Sequence, residues 1–197
     1  MRLTCDDFGV RNAVDVIQEG GVIVYPTDTV YGIGCDPFDR NAVNRIYDIK
    51  KRSKDKSLPI LGYDKEVLEK IACFDKNSNK LAEEFWPGVL TLVLKLRDKK
   101  LGRTLNLDDK IAVRVPSNEC IRSVLRECKI LVGTSANISE SGSFTDPDLC
   151  YQNIKGFDLF LDGGRLQGSG ESTVVDVNEK KILRMGAIPK AKVERFL

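Results

Sequence analysis

The 197-residue sequence predicts one α/β domain built on a twisted sheet of mixed parallel and antiparallel strands, flanked by helices. Three observations lead there. Apolar residues recur at helical spacing in several segments, short apolar runs stand between those segments, and no strict strand–helix–strand rhythm links them. The chain carries no internal repeat, low-complexity tract or obvious linker, and 42% of its residues are apolar, which suits a single unit over 1–197.

Val10, Ala13, Val14 and Ile17 mark a first helix, with Gly20 and Gly21 as its stop. Residues 22–25 read as a buried strand whose ladder pairing Pro26 ends. Asp39 caps a helix with the apolar face Ala42, Val43, Ile46 and Ile49, and that helix delivers Lys50 and Arg52 at its C-terminal end. Residues 58–61 suggest a strand, with Pro59 at an edge or at the strand's first position. Val67, Leu68, Ile71 and Ala72 suggest a helix, and residues 81–85 end another before Trp86-Pro87-Gly88. Strands at 91–96 and 111–115 are joined by a charged loop around 97–109. Ile121, Val124 and Leu125 give a helix. A short buried strand at 130–132 runs into Gly133-Thr134-Ser135-Ala136-Asn137. A loop of small residues at 138–144 precedes a helix opened by Pro147. The strand at 159–161 breaks at Gly163-Gly164, and Gly168-Ser169-Gly170 reads as flexible. A strand over 173–177 turns at Asn178-Glu179 into residues 182–184, and a last helix covers 190–196.

Composition excludes several classes of function. The start lacks the apolar core of a secretory signal and no run reaches the length of a membrane span, so a soluble, cytoplasmic protein without membrane contact is expected. Histidine is absent, which rules out Ser-His and Cys-His nucleophilic machinery. The six cysteines form no CxxC pair, so a structural zinc is not expected, and they read as small core residues kept reduced. The net charge of +2 gives no global case for nucleic-acid binding, although residues 50–56 hold five cations in seven positions. A solvated helix end would account for such a run equally well.

The polar residues make a second pattern. Thr27, Asp28, Thr29 and Tyr31 follow a buried strand on a proline-stiffened loop, the usual place for a small-molecule site. Lys50, Arg52 and Lys56 add cations. Ser135 and Asn137 sit in a small-residue loop that lets a ligand approach the backbone, with Ser143 and Thr145 nearby and Arg184 at a strand end. Cations, hydroxyls and exposed amides suit a polyphosphate. No GxxxxGK[ST] or GxGxxG loop is present, so a nucleotide would be clamped by side chains. Arg114 stands in an otherwise apolar strand and needs a planar acidic partner, from a substrate or from an internal salt bridge. Glu171-Ser172-Thr173 precedes a buried strand and mirrors the Thr27–Thr29 arrangement.

Ten segments in order resemble the YrdC-type threonylcarbamoyl-adenylate synthase family. They are Pro26-Thr27-Asp28-Thr29-Val30-Tyr31-Gly32, Ile49-Lys50-Lys51-Arg52, Lys56-Ser57-Leu58-Pro59, Phe85-Trp86-Pro87-Gly88, Thr91-Leu92-Val93, Val113-Arg114-Val115-Pro116, Thr134-Ser135-Ala136-Asn137-Ile138-Ser139, Asp162-Gly163-Gly164, Glu171-Ser172-Thr173-Val174-Val175-Asp176 and Ile182-Leu183-Arg184-Met185-Gly186. The resemblance implies a YrdC-like domain with a concave basic cleft. It implies condensation of L-threonine and bicarbonate with ATP, carried with Mg²⁺, to threonylcarbamoyl-AMP and pyrophosphate. It implies that this product feeds a downstream threonylcarbamoyl transferase complex that modifies tRNA. The family's Lys-Arg-Ser-Asn catalytic tetrad falls on Lys50, Arg52, Ser135 and Asn137. Its ATP positions fall on Arg52, Lys56, Ser135, Ser143 and Arg184, and its threonine positions on Thr29, Arg114 and Ser172. Metal ligands are not assigned. Ser57, Leu61, Asn118 and Met185 depart from the family pattern, none of them in the tetrad. A double-stranded-RNA-binding module using the same basic face, and a hydrolase or maturation factor acting on carbamoyl phosphates or adenylates, are the alternatives.

Overall fold

The computed structural model describes residues 1–168 and 170–197; the glycine-rich segment read as flexible includes Ser169, which lies outside the described residues. The chain runs β1 (Arg2–Thr4), α1 (Asp7–Gln18), β2 (Ile23–Tyr25), β3 (Gly32–Gly34), α2 (Arg40–Lys50), β4 (Ile60–Gly62), α3 (Lys65–Glu69), β5 (Ala72–Cys73), α4 (Lys76–Phe85), β6 (Leu90–Leu96), α5 (Lys99–Leu105), β7 (Lys110–Arg114), α6 (Glu119–Cys128), β8 (Ile130–Val132), β9 (Thr134–Ser135), α7 (Pro147–Asn153), β10 (Leu159–Asp162), β11 (Thr173–Asp176), β12 (Lys181–Arg184) and α8 (Lys190–Glu194). None of these helices is long and apolar enough to cross a membrane.

Short polar residues decide where the helices begin. Asp6, Asp39, Asp64, Asp75, Asp98, Asn118 and Asp146 each accept backbone N–H bonds at the start of α1 through α7, satisfying donors that a first turn leaves open. Asn118, one of the four departures from the family pattern, therefore serves α6. Pro147 opens α7 as expected.

Two sheets form where one was expected. The first has the order β1-β10-β2-β3-β9, and the second runs β12-β11-β6-β7-β4-β8 with β5 beside β6. The cause is local. At Gly133 the chain steps from β8, paired with β4, to β9, paired with β3, and a Cβ there would stand 2.3 Å from the Leu61 side chain. Both sheets mix parallel and antiparallel pairs.

Three further readings change. The charged loop after β6 contains α5, capped by Asp98 and anchored by buried Leu101 and Leu105. The helix at 67–72 stops at Glu69, because Ala72 and Cys73 are drawn into pairing with Leu96 and Lys95 of β6. Cys5 and Cys120 are not reduced core residues. They form a disulfide with a Cα–Cα distance of 5.6 Å, clipping the turn before α1 to the start of α6. Cys35, Cys73, Cys128 and Cys150 are free thiols.

One buried cluster spans both sheets through residues such as Val24, Ile33, Leu58, Leu92 and Val175. A smaller one packs Ala13, Val14 and Ile17 of α1 and Ile121, Val124 and Leu125 of α6 against Ile23, Leu159 and Leu131. Each such aliphatic side chain contributes about 1.5–3 kcal/mol by leaving water. The seam between the sheets is tight: Val132 N–H donates to the Cys35 carbonyl at 3.0 Å, and a Cβ on Gly34 would meet the Val132 oxygen at 2.0 Å.

Candidate functional site

A cleft of about 530 Å³ opens along this seam. Tyr25, Thr29, Gly32 and Ser135 line it from the first sheet and its loops. Thr91, Arg114, Ser172 and Arg184 line it from the second, and Arg52 reaches it from the turn after α2. Residues far apart in sequence thus share one hollow.

Arg114 organises one end. Its Nε donates to the Gly88 carbonyl (2.8 Å), one terminal nitrogen to Thr29 Oγ1 (3.3 Å) and the other to Asp28 Oδ1 (2.7 Å). Gly88 is itself fixed by its N–H on the Val115 carbonyl. The carboxylate partner in this structure is therefore internal. Thr27 Oγ1 donates to the Val30 carbonyl (2.6 Å), accepts the backbone N–H groups of Thr29 (3.1 Å) and Val30 (3.2 Å), and lies 2.9 Å from the Thr29 hydroxyl.

Lys50 is only 2% exposed at the end of α2. Its ammonium donates to the Ser135 carbonyl (2.5 Å), the Asn137 carbonyl (3.0 Å) and Asn137 Oδ1 (3.0 Å), which uses all three protons. Asn137 Oδ1 also accepts from the Ser135 hydroxyl at 2.7 Å. Burial, followed by the Arg52 charge, lowers the Lys50 pKa to about 8, against a smaller pull upward from Glu171. Three of the expected tetrad therefore bond to one another, with Lys50 bracing the loop. Arg52 is half-buried. Among the described residues it spends two N–H groups on the carbonyls of Lys56 and Ser57, leaving three of its five for a ligand.

At the other end, Arg184 donates to the Ser172 carbonyl (3.1 Å), to the Ser172 hydroxyl (3.0 Å) and to Glu171 Oε2 (2.5 Å). Ser172 Oγ also contacts Thr91 Oγ1 at 2.9 Å. Ser143 and Lys56 do not line the cleft. Each touches a carboxylate that does: Ser143 donates to Glu171 (2.7 Å) and Lys56 pairs with Glu140 (2.9 Å). The expected basic hollow is in this state a lattice of ion pairs, Arg114–Asp28, Arg184–Glu171 and Lys56–Glu140. Sequence reasoning gave no site role to Glu171, Thr91 or Gly88. Only the position of Glu171 beside Ser172 hinted at one. Among the described residues, no group of three or more Cys, Asp or Glu is placed to hold a metal ion.

With this geometry in view, the protein-family model Sua5_yciO_yrdC, described as Telomere recombination, matches residues 15–186. The chain belongs to the Sua5/YciO/YrdC family. A relative from Pyrococcus abyssi named threonylcarbamoyl-AMP synthase is 34% identical over 203 residues, covering 100% of this chain and 59% of the relative. A Methanocaldococcus jannaschii protein named putative threonylcarbamoyl-AMP synthase is 35% identical over 185 residues, 91% of this chain and 86% of its own length. The solved structure of P. abyssi Sua5 complexed with L-threonine superposes with a TM-score of 0.91 at 34% identity, over 100% of this chain and 59% of that one. The chain thus spans under two thirds of the Pyrococcus protein. The mixed α/β architecture is that of the Sua5/YciO/YrdC family.

Proposed function

We propose that the chain is an L-threonylcarbamoyl-adenylate synthase, a nucleotidyltransferase that joins L-threonine, bicarbonate and ATP. Family membership, the names of the two relatives and the threonine-bound Sua5 support the reading. The observation that carries it is the convergence of Thr29, Arg114 and Ser172 with Arg52, Ser135 and Arg184 on one cleft.

In this reading the threonine amine captures carbon dioxide derived from bicarbonate, losing a proton and becoming a carbamate. A carbamate oxygen forms a bond to the α-phosphorus of ATP as the α–β phosphoanhydride bond breaks and pyrophosphate leaves. The attacking oxygen is already anionic, so the step needs no histidine base. It needs alignment and charge neutralisation. Arg52, with three N–H groups uncommitted among the described residues, suits the phosphates, and Ser135 lines the same cleft in the segment that Lys50 braces. Arg114 suits the threonine carboxylate, and the Thr29 hydroxyl suits a polar group of the amino acid. Lys56 and Ser143 would reach the nucleotide once Glu140 and Glu171 yield. Mg²⁺ would arrive with ATP and supply neutralisation of phosphate charge, since among the described residues no acidic cluster is placed to hold it. The product would pass, in the cytoplasm, to a threonylcarbamoyl transferase complex for modification of tRNA at position 37, and residues 1–197 would act as one domain.

The test is pyrophosphate release from ATP by the purified chain, with the adenylate identified by mass. Release that requires both L-threonine and bicarbonate is expected. Release indifferent to threonine, or none, would sink the proposal.

A further inference from the structure

We infer that Asp28 is a positioning residue for the amino-acid carboxylate, holding Arg114 so that one N–H on each of its terminal nitrogens stays available to a ligand. This rests on the reading of the cleft given above.

A guanidinium has five N–H donors. Gly88, Thr29 and Asp28 take one each, from Nε and from each terminal nitrogen in turn. Among the described residues two remain without a partner, one per terminal nitrogen, and that is the number a carboxylate accepts in a forked pair. Arg114 lines the cleft, whereas Asp28 is not among its lining residues. The acid therefore reaches a ligand through the arginine.

Asp28 has no other evident duty. Its side chain is 12% exposed, and its Oδ1 bond to Arg114 is its side-chain hydrogen bond among the described residues. Among the described residues its second oxygen, Oδ2, is buried without a partner. Such an oxygen is costly, and a buried ion pair is weak ground for stability, since apolar residues of similar volume often serve as well or better. A pair kept on those terms fits a demand for orientation. Without Asp28, the guanidinium keeps Gly88 and a 3.3 Å contact to Thr29, and is free to pivot about Nε.

The two ligands that separate this from a general packing role are L-threonine and L-threoninol, which lacks the carboxylate. Calorimetric Kd values for both, and for ATP, are compared between the wild type and Asp28→Asn. The variant is expected to bind threonine about tenfold more weakly, the scale of one charged hydrogen bond, while threoninol and ATP change less than about twofold. The preference for threonine over threoninol thus collapses. An unchanged preference, or equal loss of threonine and ATP, overturns the inference. If Asp28→Asn does not fold, Asp28→Glu keeps the charge at a displaced position and should show the same selective loss; failure of both to fold marks the pair as structural and overturns it as well. A wild type that binds threonine but releases no pyrophosphate would defeat the proposed reaction and leave the role of Asp28 standing.

Discussion

The guanidinium of Arg184 donates a 3.0 Å hydrogen bond to the hydroxyl of Ser172. The first residue is expected at ATP and the second at threonine, so the two subsites share a proton donor. Their occupancies should be coupled. In a double-mutant cycle, Arg184→Ala and Ser172→Ala should show an interaction energy of about 0.5–3 kcal/mol, read from the threonine KM and from the ATP Kd. Strictly additive losses would mean that the subsites work independently.

Glu171 holds its carboxylate between Arg184 and the Ser143 hydroxyl, where an entering phosphate would compete with it. Glu171→Gln should tighten ATP binding. Both partners of the ion pair are a third to a half exposed, which limits the gain to about two- to fivefold. Weaker ATP binding by the variant would instead place the carboxylate on the nucleotide or its magnesium.

Lys50 sets a pH limit. Its pKa is lowered to about 8, so the ammonium is present below that pH and gives way to a neutral amine above it. The amine has two protons for three acceptors, and the Ser135–Asn137 loop loses one tie. kcat/KM for ATP should fall as pH rises through about 8, and Lys50→Met should be slow with that limb missing. An identical alkaline limb in the methionine variant would assign it elsewhere.

The Cys5–Cys120 bond closes a long loop, with a sequence separation of 115 residues. Reduction, or Cys5→Ser, should cost about 2–5 kcal/mol of stability and lower the melting temperature. Neither cysteine lines the cleft, so initial rates at moderate temperature should be retained. A melting temperature insensitive to reductant would argue that the cross-link adds nothing.

Much of the scaffold was legible because its signals are local. Asp39 and the Ala42, Val43 and Ile46 face announce α2 within a few residues, and Pro147 announces α7. The convergence of Thr29, Arg52, Ser135 and Arg184 followed from order in a family pattern, and those residues do share the cleft. What stayed hidden depends on distance. Arg114 and Asp28 stand 86 positions apart, and nothing local marks them as partners. Cysteine pairing cannot be read from one sequence at all. The miss at α5 is different, since Asp98, Leu101 and Leu105 formed a readable cap and stripe that the surrounding charge obscured. The split into two sheets turns on one glycine, Gly133, whose effect requires knowing what lies opposite it.

The close seam at Gly34 and Val132 restricts how this molecule can move. Tyr25, from the first sheet, caps the same Val132 carbonyl with its phenol, whose pKa burial pushes up. Walls joined so closely resist swinging apart at that seam. Movement at the cleft falls more readily to its exposed side chains, such as Glu140, whose pair with Lys56 stands in solvent. A ligand would then displace a few ion-paired residues while the two walls stay still.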